Sequence, residues 1–289
     1  MLPSQAILPP IPANARYLEF SANPDHDPRP ALKTLASMAD DGLVVGLGAG
    51  LVAGLGGEVA GLHGFVAQSG PGCNVPSSQA DILCWIKGED RGDIAARGRH
   101  IATLLAPAFR IERLSDGFRH REGRDLSGYE DGTENPEGEA ALDATFVRSG
   151  PLAGSSFVTV QKWLHDLNHF ESLPQEQRDN IIGRRLSDNV ELEDAPDFAH
   201  VKRTAQESFS PEAFMLRRSM PWSDAGGEGL IFTSFAHSLT PFEAQMARMS
   251  GAEDGIIDGL FRFSRPITGA HYWCPPLAGR GLDLTAIGL

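Results

Sequence analysis

Asp131 stands in Gly128-Tyr-Glu-Asp-Gly132, between residues that let the backbone turn sharply or approach a ligand closely. An ionised carboxylate presented there can take up a proton and return it. Arg217 and Arg218 close an apolar run, Ala213–Arg218 (AFMLRR), that is followed by Ser219-Met-Pro. A guanidinium keeps its charge at any ordinary pH and stabilises an anion that develops beside it. Neighbours on a strand point to opposite faces, so one arginine can face a pocket while the other faces solvent. His200 lies seventeen positions before Arg217, in the irregular stretch Asp194-Ala-Pro-Asp-Phe-Ala-His200-Val. On such a loop a histidine is free to aim its ring, as an axial metal ligand must. Taken singly, each has a plainer reading: an Asp-Gly turn, a surface arginine, a capping histidine.

Two further motifs compete. Gly48–Ala53 (GAGLVA) follows an apolar run and fits the looser dinucleotide fingerprint. The acidic residue expected about 20 positions later is missing, because AQSGPGCN stands there. His165-Asp-Leu-Asn-His169 puts two imidazoles one helical turn apart, a zinc-like spacing. Asp166 replaces the glutamate a zinc peptidase would need, and no convincing third ligand follows, so a surface histidine pair is the better reading.

The elements that must carry these residues belong to a chain of 289 residues, enough for one large domain or two medium ones. With 41% hydrophobic residues it can bury a sizeable core. The formal charge of −13 repels polyanions and excludes nucleic acid as an expected partner. It leaves small neutral oxidants unaffected and favours cationic aromatic molecules. Cys73, Cys84 and Cys274 are odd in number and widely spaced, which reads as reduced thiols in a cytoplasmic protein. The N-terminal residues lack an export-signal pattern. The most apolar stretch, Leu43 to Val59, is too rich in glycine for a membrane span.

Alternation and spacing predict strands at Arg16–Ser21, Leu43–Leu51, Ala80–Lys87, Ile111–Phe118, Ser155–Lys162, Ala213–Arg218, Gly229–Phe235 and Ala270–Cys274. Helical spacing falls at Arg29–Ala39, Asp93–Phe109, Pro174–Arg184 and Pro241–Met249, with another helix entered through Leu164–Asn168. Arg119–Pro136 is a long loop of glycine, charge and turn formers, the kind that often carries function. The order of elements repeats. The expected fold is α+β, two related halves at 1–150 and 151–289, each a helix-covered antiparallel sheet.

Together, GYEDGTENP, DAPDFAHVKR and MLRRSMPW closely resemble the dye-decolourising peroxidases, in particular their shorter bacterial B-type branch. Supporting stretches are WIKGEDRGDIAARGRHIATLLAPAF, IIGRRLSDNVELEDAP and FRFSRPITGAHYW. The resemblance runs from Arg16 to about Pro276. It implies two ferredoxin-like halves in a dimeric α+β barrel-like arrangement, with haem b held mainly by the second. It implies reduction of hydrogen peroxide through a ferryl intermediate, and oxidation of aromatic, dye-like or other small reductants by a homo-oligomer.

The resemblance also implies roles. His200 is the proximal iron ligand, Asp258 in GIIDGLFRF the acid on its other ring nitrogen, Asp131 the distal carboxylate and Arg217 the distal arginine. Ser219 is the small polar residue beside them; B-type relatives often carry asparagine there, and serine reaches less far. Arg184 in IIGRR is a candidate partner for a haem propionate. Tyr129, Trp163, Trp222 and Trp273 are candidate relays for oxidising dyes too large for a buried pocket, although aromatic residues are usually core. Two alternatives remain at this point: a haem-handling protein on the same fold, and a dinucleotide enzyme built on GAGLVA.

Overall fold

The computed structural model describes residues 2–70, 72–279 and 281–289. The first half supplies β1 (Asn14–Ala22), α1 (Arg29–Ala36), β2 (Leu43–Leu47), α2 (Ala49–Gly54), the short ribbon β3 (Gln68–Gly70) and β4 (Cys73–Val75), β5 (Ile82–Gly88), α3 (Arg91–Leu105) and β6 (Phe109–Phe118). After a long loop come α4 (Gly138–Thr145), β7 (Ser156–His165), α5 (Leu167–Ser172), α6 (Gln175–Ile182) and α7 (His200–Arg203). The chain continues through β8 (Leu216–Arg217), β9 (Met220–Asp224), β10 (Gly227–Ala236), α8 (Thr240–Met249), β11 (Ser264–Pro266) and β12 (Ala270–Cys274).

One ten-stranded sheet runs β6-β1-β5-β2-β12-β7-β10-β8, with β11 beside β7 and β9 beside β10. Its pairs are antiparallel. Counting only the four long-range strands of each half, both read fourth, first, third, second across the sheet. That is the ferredoxin-like order, present twice. The halves join where Trp273 of β12 faces Leu47 of β2. The outer edges nearly meet: a Cβ placed on Gly117 of β6 would lie 3.1 Å from Met220 Cβ of β9. The sheet therefore curls into an almost closed barrel filled by Tyr17, Trp85, Val158, Trp222, Phe235 and Tyr272. Gln5 pins the N-terminal arm to it, exchanging hydrogen bonds of 2.8 and 2.9 Å with the Val45 backbone.

Helices cover the outer faces. Over the first half, Leu32 and Leu35 of α1 and Ile94, Ile101 and Leu105 of α3 fill the space against β2 and β5. The Asp90 side chain caps α3 by accepting the Asp93 N–H at 2.9 Å, which starts the helix two residues earlier than its apolar spacing suggests. Over the second half, α8 turns Phe242, Met246 and Met249 toward the sheet.

Several sequence expectations shift. The apolar run Leu43–Leu51 divides, with β2 ending at Leu47 and α2 beginning at Ala49. A Cβ on Gly48 would lie 2.4 Å from the Ala80 carbonyl, so GAGLVA is explained by close packing of the chain on itself. The Asp81 carboxylate also faces the start of α2, where a phosphate would be repelled. His165 and His169 do not share a helix. His165 ends β7, and Asp166 caps α5 by accepting the His169 N–H. The run Ala213–Arg218 pairs as a strand only at Leu216–Arg217. The helix α4, GEAALDAT, is an addition to the expected elements, and its Ala, Leu and Glu favour it. Among the described residues no helix is long and apolar enough to cross a membrane. All three cysteines are buried and free.

Candidate active site

The outer face of the second half carries a pocket. Period-two alternation on β7 and β10 sends Gln161, Trp163 and His165, and Leu230 and Phe232, outward. Arg217 of β8 joins this wall. The opposite wall is helical and apolar, with Phe242, Met246 and Met249 of α8, Leu260, and His200 of α7. The pocket together with the solvent space at its opening spans about 580 Å³. A second pocket of about 680 Å³ shares Asp131, His200, Thr204 and Arg217 with it and is lined by Glu130, Glu134, Arg184 and Glu191. The two together form a slot with an apolar interior and a polar mouth.

His200 opens α7, a single turn rather than the irregular loop expected of this stretch. That turn is held from two sides. Gly183 ends α6 with φ +93°, and a Cβ there would lie 2.3 Å from Val201 Cγ2, so only glycine lets α6 approach. Arg203 donates to both Asp254 oxygens and to the Arg248 carbonyl, each at 2.7 Å. Those hydrogen bonds hold the Asp254 carboxyl at about 2. The His200 ring donates from Nδ1 to Asp258 Oδ2 at 2.8 Å, and Asp258 Oδ1 accepts the Leu260 N–H at 2.8 Å. Asp258 is buried. An ionised carboxylate can only accept, so Nδ1 carries a proton, and in the neutral ring the lone pair is on Nε2.

Asp131 reaches the slot from the loop 119–136. Its Oδ1 lies 3.7 Å from Arg217 Nε. That nitrogen is buried and has no hydrogen-bond partner among the described residues. Gly132, at φ +78°, turns the loop back through the bond from Asn135 N to the Gly132 carbonyl at 3.0 Å. The Asn135 amide then clamps the strand. It accepts the Arg217 N–H at 2.7 Å and donates to the Arg217 carbonyl at 3.1 Å. Gln206 does the same nearby, accepting the Met215 N–H and donating to the Glu134 carbonyl. These amides stand where a neighbouring strand would, along the free edge of β8. Arg218 points the other way, as alternation requires. It meets the carbonyls of Ile7 and Leu8 in the N-terminal arm rather than solvent.

His200, Asp258, Asp131 and Arg217 are thus brought together around one slot. Ser219 is not: it lines neither pocket, and its hydroxyl accepts the Thr233 N–H at 3.4 Å. Arg184 lies at the polar mouth, already engaged by Glu134, Glu191 and the Asn189 carbonyl. Tyr129, Trp163, Trp222 and Trp273 are all buried, and of these only Trp163 lines the slot. His165 is no surface residue either. Its Nδ1 meets Ser264 Oγ at 2.6 Å and its Nε2 meets Asp125 Oδ1 at 3.1 Å. Burial alone would raise the Asp125 carboxyl, but the hydrogen bonds from His165 and Ser127 outweigh it and leave the group below its usual value. Sequence reasoning missed Asn135, Gln206 and the inward turn of His165. The asparagine in GYEDGTENP was the one available signal. Among the described residues no group of three His, Cys, Asp or Glu side chains could hold a metal ion by itself.

Residues 122–279, which carry all four converging side chains, match the family described as Dyp-type peroxidase, C-terminal. The chain belongs to the Dyp-type peroxidase family. It is 34% identical to the dye-decolorizing peroxidase of Rhodococcus erythropolis over 222 residues, 74% of this chain and 65% of that protein. The corresponding protein of Mycobacterium tuberculosis is 32% identical over 75% of this chain and 67% of its own length. The chain thus spans about two thirds of these relatives. Among solved family structures, a Rhodococcus jostii DypB variant in complex with heme superposes with a TM-score of 0.86 at 31% identity, covering 94% of this chain and 96% of that one. The dye-decolorizing protein from V. cholerae gives 0.85 at 29% identity, covering 95% and 97%.

Proposed function

We propose that this chain is a haem-dependent peroxidase that reduces hydrogen peroxide and oxidises small aromatic or dye-like reductants. The observation that carries this reading is the placement of a carboxylate-oriented imidazole, His200, across one slot from the Asp131–Arg217 pair. The slot suits haem b. Its apolar interior would take the hydrocarbon edge of a porphyrin, Arg184 at the mouth a propionate in exchange for Glu134 or Glu191, and His200 Nε2 the iron. The buried, unpartnered Arg217 Nε is a donor awaiting an oxygen ligand. Haem, when bound, supplies the redox chemistry that cleaves the O–O bond. His200 would hold it, and Asp258 would keep the proton on Nδ1 and make the ligand more electron-donating.

The remaining work falls to side chains on the sheet side. Asp131 takes the proton from the peroxide oxygen nearer the cofactor and returns it to the outer oxygen, which leaves as water. Arg217 holds the peroxide and stabilises negative charge on the leaving oxygen, in a site whose apolar walls exclude water. Overall, hydrogen peroxide, two electrons from the reductant and two protons give two waters. Division of the chain into units 1–150 and 151–289 belongs to the same proposal, although the loop of the first unit that carries Asp131 packs against the second.

The test is a visible spectrum of the purified, haem-supplied protein before and after peroxide. A Soret band that shifts on peroxide addition is expected. In His200→Ala that band should be lost or revert to that of unligated haem. An unchanged histidine-ligated spectrum in His200→Ala would move the ligand role to another residue.

A further inference from the structure

The resemblance gives a small polar role beside Arg217 to Ser219, yet the Ser219 hydroxyl is turned to the Thr233 N–H and lines neither pocket. A different polar group faces the slot. Gln161 is fully buried on β7, opposite Phe232 of β10 in the register, and lines the same pocket as Asp131, Arg217 and His200. The orientation of its amide is decided by Trp163. The Trp163 indole N–H donates to Gln161 Oε1 at 3.1 Å, and an indole nitrogen can only donate. The oxygen must therefore be the atom beside Trp163, which resolves the usual ambiguity of a glutamine amide. The amide nitrogen is left on the other side, with no partner among the described residues. A buried, unpaired NH2 group is destabilising unless something accepts its hydrogen bond.

We infer that Gln161 supplies the further hydrogen-bond donor of the peroxide site, in the place that the resemblance would give to Ser219. This rests on the reading of the slot as a haem and peroxide site. The acceptor Gln161 serves is a small oxygen or halide ligand in the slot. A propionate does not fit the role, because the carboxylates of a porphyrin belong at the polar mouth, away from the apolar interior that Gln161 shares with Leu230 and Phe232. Gln161 and Arg217 then offer two donors from one wall, one neutral and one charged.

The experiment is a sodium fluoride titration of the ferric, haem-loaded protein followed by its visible spectrum, a binding measurement that requires no turnover. Gln161→Met and Gln161→Leu, two apolar replacements of different shape, should each weaken fluoride about tenfold, the loss of one hydrogen bond to an anion. Ser219→Ala should change it less than about twofold. Trp163→Phe removes the indole but keeps the amide, and should stay within about threefold of the parent. Parent-like fluoride affinity in both Gln161 variants would overturn the inference. So would an equal loss in Trp163→Phe, which would make Gln161 a mere support for the indole, or a larger loss in Ser219→Ala. Failure of the parent protein to take up haem would instead overturn the underlying reading, and this inference with it.

Discussion

The two halves of this molecule share a strand order and differ in what lies over the sheet. In the first half α1 and α3 press Leu32, Leu35, Ile94 and Ile101 directly onto β2 and β5, and the space is closed. In the second half α8 and α7 leave a slot between their side chains and the sheet. The reason is local. The first half crosses from its first strand to its second through one short helix and a tight connection. The second spends the residues between β7 and β8 on α5, α6, α7 and polar turns, and these prop α7 above the sheet. One fold, used twice, is spent once on a core and once on a site.

That contrast can be broken at its most sensitive point first. Arg217→Leu should lower the rate of reaction with peroxide by about 10²–10³, the usual cost of losing one oriented donor, when stopped-flow spectra of the haem-loaded protein are followed. Asp131→Ala should lose less, because water can relay the proton. Parent-like rates in both variants would remove the distal assignment.

Packing gives the next largest difference. Ile101→Ala in the closed half should cost about 2–5 kcal/mol of stability. Met246→Ala borders a space that already exists, so in haem-free protein it should cost less, below about 2 kcal/mol. Urea unfolding of both variants measures the gap. Equal losses would mean that the slot is as tightly filled as the first core.

Asn135→Ala removes both bonds from the loop to the Arg217 backbone. The peroxide rate should fall about tenfold, with the Soret spectrum of the resting protein unchanged, since His200 is untouched. An altered resting spectrum would show that the clamp serves the whole slot rather than the Asp131–Arg217 pair.

The last effect appears only in acid. His271 is buried behind Phe242, and burial lowers its ring to about 3. The unfolded chain binds this proton near pH 6.5, whereas the folded chain binds it only near pH 3. Stability should therefore be unaffected above about 6.5 and fall by up to about 1.4 kcal/mol per pH unit from there toward 3. His271→Asn should flatten that slope in urea unfolding at pH 6, 5 and 4. An unchanged slope would place the acid sensitivity elsewhere.

Much of this site was legible before any coordinates. Asp131, Arg217 and His200 are marked by local type and neighbours, Asp258 only by the family resemblance, and the alternation of AFMLRR places its two arginines on opposite faces. Ser219 is marked only by the family resemblance, and its hydroxyl turns to the Thr233 N–H. HDLNH has the spacing of a helical pair, but a strand ends inside it, which carries His165 to the slot wall. Asn135 and Gln206 were passed over because their partners lie 82 and 9 residues away and are backbone groups, which leave no mark on periodicity.

The sequence by itself determined most of the elements, the repeated order of strands and helices, and the set of side chains able to ligate, to carry a proton and to hold an anion. These follow from periodicity, capping and the fixed chemistry of each residue type, all of which act within a few positions along the chain. Only the tertiary structure decided which polar groups meet. The pairing of His200 with Asp258, the clamp of Asn135 on Arg217 and the free amide of Gln161 each depend on contacts between separate segments or on the burial those contacts create. Burial turns an ordinary hydrogen bond, or its absence, into a requirement.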